Sequence, residues 1–495
     1  FKQSVLVKHQ YLPEILTQGD PESVCVIDIQ EGRTLTYSEL YTASSKFAGY
    51  LRGLGVKRGD RVGILLPNGW RFAVSLYAVL MCEGLAVPID YRSSDREVGF
   101  YLQNSGAGFV VCSPERSIGI YGGIRVIVFS EELYMAHDGL AEVGGVLDVV
   151  EDALIFYTGG TTGTPKGVVL THKNIFTVLR GLTEAWELTR GGEVFAQVLP
   201  MTHSGGLNCS FNTALYSGGK CVVMKRFDPK VLLRVIEDYR VSVLVGVPTI
   251  YGELVRELAS SNWDVSSLRV CFSSGAPISE KVAREFQRLT GIVLNVGWGL
   301  TEASPQLTVA PLGVFKPNYV GVPLSGVEVG AFDGDTRLPL GAVGELGVRG
   351  EQIMKRYWNN DEETRKVFNT SGYLLTGDIG YVDSDGVYLL GRRKNVINTG
   401  GYKVWPHEVE QAIMENPHVR EVAVVGVEDE KYGEMVKAFV VSDGQISVEE
   451  LRDFCKKLLA GYKVPRVFEF RSELPKSSVG KILHRVLKEE SQKRY

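Results

Sequence analysis

This chain has no excess of charge of one sign, no cysteine pattern and no uninterrupted apolar run. Its formal net charge is −4, so bulk charge gives nucleic acid no reason to bind. Its cysteines (Cys25, Cys82, Cys112, Cys209, Cys221, Cys271 and Cys455) are scattered and odd in number, without a Cys-x-x-Cys pair. That argues against a disulfide scaffold or a zinc cluster and for a reducing, cytoplasmic setting. The longest apolar stretch, Phe72 to Ile89, is interrupted by Glu83 and Gly84 and carries Pro88. It reads as a core helix followed by a strand, not a membrane span. Neither of two common nucleotide fingerprints is present. A Walker A loop needs Gly-Lys followed by Ser or Thr, whereas Pro165 precedes Lys166 and Gly167 follows it. No Gly-x-Gly-x-x-Gly follows a strand, which disfavours a dinucleotide-binding Rossmann enzyme.

What is there is more telling. Residues Tyr157 to Gly167 read YTGGTTGTPKG, directly after the strand-like run Ala153-Leu154-Ile155-Phe156. Glycines let backbone N–H groups approach an anion closely, and threonine hydroxyls and a lysine add donors and charge. The ligand expected for Thr158, Gly159, Gly160, Thr161, Thr162, Gly163 and Lys166 is a polyphosphate. The bland reading is an ordinary surface loop, but such loops rarely combine this many donors with no carboxylate.

Strand-like runs alternate with amphipathic helical segments through the first 310 residues, for example Arg61–Leu66, Phe109–Cys112, Val243–Val247 and Leu268–Phe272. The alternation predicts α/β layers with largely parallel sheets. Val282, Phe286 and Leu289 share one face of a helix that Gly291 ends. From about 313 to 390 short alternating runs separated by Gly, Asp and Pro read as a small β-barrel. After a boundary near Gly391-Arg-Arg-Lys394, the last hundred residues read as a separate α+β unit. In it Ser447-Val-Glu-Glu450 is a capping box opening a helix.

Five further segments carry groups capable of chemistry. They are Ser273-Ser-Gly-Ala-Pro277, Gly297-Trp-Gly-Leu-Thr-Glu-Ala303, Tyr373-Leu-Leu-Thr-Gly-Asp378, Gly391-Arg-Arg-Lys-Asn-Val396 and Pro475-Lys-Ser-Ser-Val-Gly-Lys481. In this order, with the Thr/Gly loop, they resemble the adenylate-forming superfamily of acyl-CoA synthetases, luciferase and peptide-synthetase adenylation domains. The resemblance runs from Leu35 to Lys481 and is strongest to fatty-acyl-CoA ligases. It implies a large N-terminal domain, 1–391, of two α/β layered subdomains plus the small β-barrel. A small mobile C-terminal domain, 394–495, follows, with its hinge near Lys394.

The resemblance also implies a two-step reaction. A carboxylate attacks the α-phosphate of ATP to give an acyl-adenylate and pyrophosphate; the thiol of CoA then displaces AMP. Carried over residue by residue, the Thr/Gly loop would hold the β- and γ-phosphates. Glu302 with Thr161 would bind Mg²⁺, and Thr301 would meet the α-phosphate. Trp298, between Gly297 and Gly299, would pack on adenine, with Gly275, Ala276 and Pro277 on the other side. Asp378 and Arg392 would hold the ribose, and Lys481 would bridge the two reacting anions. Rotation about Lys394 would then bring Gly400, Gly401 and Tyr402 to a tunnel for pantetheine.

His203, Gly206, Val247 and Gly299 would wall the acyl pocket. Residues 200–213 contain no carboxylate, which disfavours an amino acid. Acetate-specific members of the family it resembles carry an indole at the position of Gly299, so glycine there implies a floor open to chains longer than acetate. The acid predicted is therefore a medium- or long-chain fatty acid, with an aryl acid or transfer to a carrier protein as alternatives. An inactive nucleotide-binding scaffold is the reading from another class, and the intact Lys481, Glu302, Asp378 and Arg392 oppose it. Expected partners are a small carboxylic acid, ATP and CoA. Membrane contact is at most peripheral, and a homodimer is compatible. The chain departs from the family's usual pattern at Gly159, Asn395, His484 and Arg356.

Overall fold

The computed structural model describes residues 10–116, 123–135, 137, 151–158 and 164–492. Two large sheets flanked by helices make up the first 392 residues. One has seven strands, in the order Arg356–Tyr357, Lys166–Thr171, Asp152–Thr158, Leu85–Pro88, Arg61–Leu65, Phe109–Cys112 and Arg125–Val128. The last four pair in parallel. Strand Leu85–Pro88 is buried along its whole length, as expected for parallel strands covered on both faces. The helix expected within Phe72–Ile89 is Trp70–Met81. Among the described residues no helix is long and apolar enough to cross a membrane.

The second sheet has fourteen strands. Its parallel part contains Val24–Asp28, Lys220–Val223, Val194–Gln197, Val243–Gly246, Val270–Ser273 and Asn295–Gly299. Helix Glu280–Thr290 joins the last two and ends on Gly291 at φ +76°, a left-handed position that glycine adopts without steric penalty. Phe286 is fully buried and meets Tyr251 edge-on at 5.3 Å. Leu289 is not among the buried residues of that helix, whose inner face is Ala283 and Phe286.

The 313–390 region is a set of antiparallel strands, Tyr319–Pro323, Glu328–Asp333, Gly344–Arg349, Leu374–Asp383 and Gly386–Arg392. Their ladder runs as one open path and continues the large sheet through the pairing of Thr308 with Pro323. The run of short antiparallel strands expected for the small β-barrel is present, and its ladder is hydrogen-bonded to the large sheet.

The last strand of that sheet ends at Arg392; Arg393–Asn395 form a single 3₁₀ turn; Ile397–Thr399 starts a five-stranded sheet. This sheet and helices Pro406–Met414 and Val448–Leu458 enclose a core of their own around Val409, Ile413, Val424, Val436 and Leu451. Ser447 caps the second helix with the full reciprocal box to Glu450. The unit is docked on the N-terminal end of helix Glu280–Thr290. Gln411 accepts from the Glu280 N–H at 3.2 Å and donates to the Ile278 carbonyl at 2.9 Å. Lys281 donates to the Asn416 carbonyl at 2.9 Å, and Arg284 grips Glu415 at 2.8 Å.

Candidate active site

The parallel strands Val270–Ser273 and Asn295–Gly299 end side by side, and the crevice beyond the carboxyl ends of such strands is where α/β sheets bind ligands. A cavity of ≈ 170 Å³ opens there. Its large-domain wall includes Ser273, Gly275, Ala276, Pro277, Gly297, Trp298, Gly299, Asp378 and Arg392, and its small-domain wall Asn395, His407, Glu410 and His484. Ser273 Oγ is buried with no protein partner. A buried hydroxyl left over in this way is a polar group available to a ligand.

Asp378 is the electrostatic centre. It is nearly inaccessible, and burial raises its pKa. The Arg392 guanidinium, the Trp298 indole N–H and the Lys481 charge act against that rise. Trp298 donates to Oδ2 at 2.7 Å, and Arg392 Nε meets Oδ1 at 2.7 Å. The indole edge therefore has a task that the expectation of ring packing did not include. Lys481 reaches the same place from the small domain. A Cβ built on Gly275 would lie 2.8 Å from its Cε and 3.1 Å from its Nζ. Burial and then the Arg392 charge push the Lys481 pKa down, while Asp378 pulls it up. Val247 lies beside this meeting point, 3.6 Å from where a Gly480 Cβ would stand.

A second cluster lies toward the Thr/Gly loop. Thr158 ends one strand opposite Lys166, which opens the next, so the loop joins a hairpin. Gly159, Gly160, Thr161, Thr162 and Gly163 lie outside the described residues. Glu302 sits in the turn Thr301–Ala303, and its Oε1 accepts from the Tyr357 hydroxyl at 2.8 Å. Lys166 pairs with Glu363 and lies 5.0 Å from the centre of the Tyr357 ring. Ser204 Oγ is 3.4 Å from Thr301 Oγ1. Among the described residues no group of three or more His, Cys, Asp and Glu could hold a metal. Tyr357 and Glu363 escaped the sequence reading. The segment Met354–Trp358 drew notice only for Arg356, which here pairs with Asp152 at 2.9 Å.

Two glycines expected in the acyl pocket are backed by main chain where a side chain would stand, although Gly299 lines the cavity described above. A Cβ on Gly299 would collide with the Pro305 carbonyl, and one on Gly206 with the Pro200 carbonyl, both far inside van der Waals contact. These glycines permit close backbone approach on that side. Gly206 belongs to a π-helical stretch, Gly205–Asn212, a rare geometry that often marks functional sites. It is pinned by Gln197 to the Gly206 carbonyl at 3.0 Å and by Asn208 to the Ser304 carbonyl at 3.1 Å. His203 stands just before it, its Nε2 3.0 Å from Ser478 Oγ. Burial first, and then the Lys481 charge, lower its pKa to about 4.

The hairpin expected to face pantetheine lines neither this cavity nor the one beside the lysine loop. Gly400 and Gly401 are its turn, at φ +57° and +86°, rather than part of a strand. Tyr402 is exposed and stacks on Tyr462 at 4.5 Å. Lys394 sits in the 3₁₀ turn between the two sheets. His484, one of the departures from the usual pattern, pairs with Glu410 at 2.7 Å.

Known proteins share this architecture. The model of the AMP-binding enzyme family matches residues 16–358, and that of its C-terminal domain matches 408–481. A long-chain-fatty-acid–CoA ligase of Bacillus subtilis is 33% identical over 93% of this chain and 90% of its own. 4-coumarate–CoA ligase 5 of Oryza sativa subsp. japonica is 33% identical over 97% and 94%. The ATP-bound crystal structure of MatB from Rhodopseudomonas palustris superposes with a TM-score of 0.91 at 29% identity, covering 98% of this chain and 99% of that one. The apo structure of the same protein gives 0.78. With both domains matched along most of their length, the chain belongs to the AMP-binding enzyme family of adenylate-forming acid–CoA ligases.

Proposed function

We propose that this enzyme activates a medium- or long-chain fatty acid with ATP and passes the acyl group to CoA, releasing pyrophosphate and then AMP. The observation that carries the first step is the approach of Lys481, from the small domain, to Gly275 on the wall of the cavity that Trp298, Asp378 and Arg392 also line, where its charge acts on Asp378. A carboxylate and a triphosphate repel each other. A preorganised ammonium where they meet offsets that repulsion without reorganising during the reaction. Asp378 would hold the ribose and Lys481 would neutralise the forming bond. The greater likeness to the ATP-bound MatB structure than to its apo form supports reading this arrangement as the adenylation pose.

Mg²⁺ suits this site. It keeps most of its waters and takes one or two carboxylates together with phosphate oxygens, so Glu302, oriented by Tyr357, with the Thr161 hydroxyl, would be an adequate set of protein ligands. The ion would neutralise charge on the β- and γ-phosphates. Lys166 would exchange its Glu363 partner for phosphate as the nucleotide arrives. For the second step the small domain would swing about Lys394 and present the Gly400–Tyr402 hairpin to pantetheine.

Support for a fatty acid comes from the relatives, led by the Bacillus subtilis ligase; the space argument at Gly299 no longer contributes. The rice 4-coumarate ligase, equally identical, favours an aryl acid as second reading. AMP release would be measured over acids from acetate to palmitate plus benzoate and 4-coumarate, with and without CoA. Peak activity on acids of eight or more carbons, dependent on CoA, is expected. A peak on aryl acids overturns the fatty-acid assignment, and AMP release indifferent to CoA overturns the acceptor.

A further inference from the structure

The loop that carries Lys481 is held against the large domain by groups other than the lysine itself. The loop is a compact hairpin: Ser477 N–H donates to the Lys481 carbonyl at 2.8 Å, Gly480 N–H to the Ser477 carbonyl at 2.9 Å, and Lys476 bridges Ile482. It is tied to the large domain at three points. Arg92 Nη2 donates to the Ser478 carbonyl at 3.2 Å. Thr249 Oγ1 donates to the Gly480 carbonyl at 3.2 Å. His203 Nε2 shares a hydrogen bond with Ser478 Oγ at 3.0 Å.

We infer that Arg92, Thr249 and His203 form a latch on the large domain that seats the lysine loop for adenylation, with Arg92 and Thr249 as positioning residues for Lys481. Three observations support it beyond the bonds themselves. Arg92 is aimed in advance, its guanidinium held on Asp90 by two bonds, at 3.0 and 2.8 Å. The loop is shaped to the latch, because Gly480 adopts φ +82° and a Cβ there would stand 2.7 Å from Thr249 Oγ1. The three residues come from separate segments: the turn after strand Leu85–Pro88, the approach to the π-helical stretch, and the first turn of helix Pro248–Ser260. Three points on one short hairpin fix both its depth and its rotation. The Asp90 carboxylate also interacts with the Ser478 side chain; the three bonds themselves end on backbone carbonyls or a hydroxyl. Such bonds exchange readily with water, as a loop that must withdraw in every turnover requires.

This inference rests on Lys481 serving the first half-reaction, and the test separates the two. Pyrophosphate release from acid plus ATP, and thioester formation from synthetic acyl-adenylate plus CoA, would be measured for Thr249→Val, Thr249→Ser, Ser478→Ala and Arg92→Met, with Lys481→Ala as reference. The latch predicts that Thr249→Val and Arg92→Met slow pyrophosphate release roughly tenfold, with kcat changed more than KM for ATP. Ser478→Ala should have a smaller effect, since its carbonyl remains. Thioester formation should hold or quicken, and Thr249→Ser should restore the first step. Equal slowing of both halves, or no change in either, overturns the latch while leaving Lys481 untouched. A Lys481→Ala protein that still adenylates normally overturns the underlying assignment. Should Arg92→Met not fold, the Thr249 pair decides alone.

Discussion

Trp298 donates its indole N–H to Asp378 Oδ2 at 2.7 Å, and the two residues are 80 positions apart. The bond satisfies one oxygen of a buried carboxylate whose other oxygen is taken by Arg392. Each oxygen retains a lone pair, which the ribose role proposed for Asp378 would use.

Trp298→Phe keeps an aromatic face and deletes that donor. A hydrogen bond to a charged group is worth about 1.5–3 kcal/mol, so KM for ATP should rise by about tenfold or more. Burial already raises the Asp378 pKa, and the Trp298 bond opposes the rise. Its loss should therefore move the acidic limb of the kcat/KM profile to higher pH. An unchanged limb and an unchanged KM would show that the indole serves adenine alone.

Lys394 occupies the 3₁₀ turn that joins strand Gly386–Arg392 of the large sheet to strand Ile397–Thr399 of the small one. Lys394→Pro fixes φ at that point. If rotation there exchanges the two half-reactions, pyrophosphate release should persist while thioester formation slows by roughly tenfold. Single-turnover measurement of each half separates them, and equal loss in both would count against a hinge at this residue. Gly401→Leu is a poorer probe of the pantetheine path, because φ +86° there strains any side chain.

His484 and Glu410 form a half-buried pair at 2.7 Å. Burial is the largest influence on His484 and lowers its pKa, but the Glu410 charge and hydrogen bond outweigh it, so the net shift is upward from 6.5. A raised folded value gives stability that is complete below 6.5 and fades as pH rises through the folded pKa. Glu410 is shifted downward from 4.5, so its share is lost only in acid, as pH falls through its own folded value. His484→Arg keeps the charge. The stability gap between variant and wild type should therefore widen, by on the order of 1 kcal/mol, from about pH 6 to about pH 9. Denaturant melts across that range provide the check; a gap that does not vary with pH would sink the idea.

Gly299→Ala places a Cβ against the Pro305 carbonyl. Overpacking a filled site costs about 1–3 kcal/mol, which a denaturant midpoint would register. The ratio of kcat/KM for octanoate to that for propionate should stay where it is. A changed ratio at unchanged stability would show that the side-chain position of residue 299 bears on the acyl pocket.

Much of this was written in the chain. The capping box at Ser447 and Glu450, the left-handed Gly291 and the buried strand Val243–Gly246 are local matters of spacing and backbone preference, and they appear where the sequence puts them. The ordered motifs were enough for the family, because chemistry on a polyphosphate demands particular residue types in each segment. Other features depended on residues brought together across the fold. Nothing near Trp298 announces Asp378 as its partner, and nothing near Ser478 announces Arg92, His203 and Thr249. Gly299 shows the converse. A missing side chain reads in sequence as empty space, but only packing tells whether that space is a pocket or, as here, the backbone of residue 305. Sequence determines local geometry and chemical inventory, since both depend on neighbours along the chain. Which atoms share a site, and which glycine is a gap or a contact, was decided by tertiary structure, because those depend on distances that chain order does not encode.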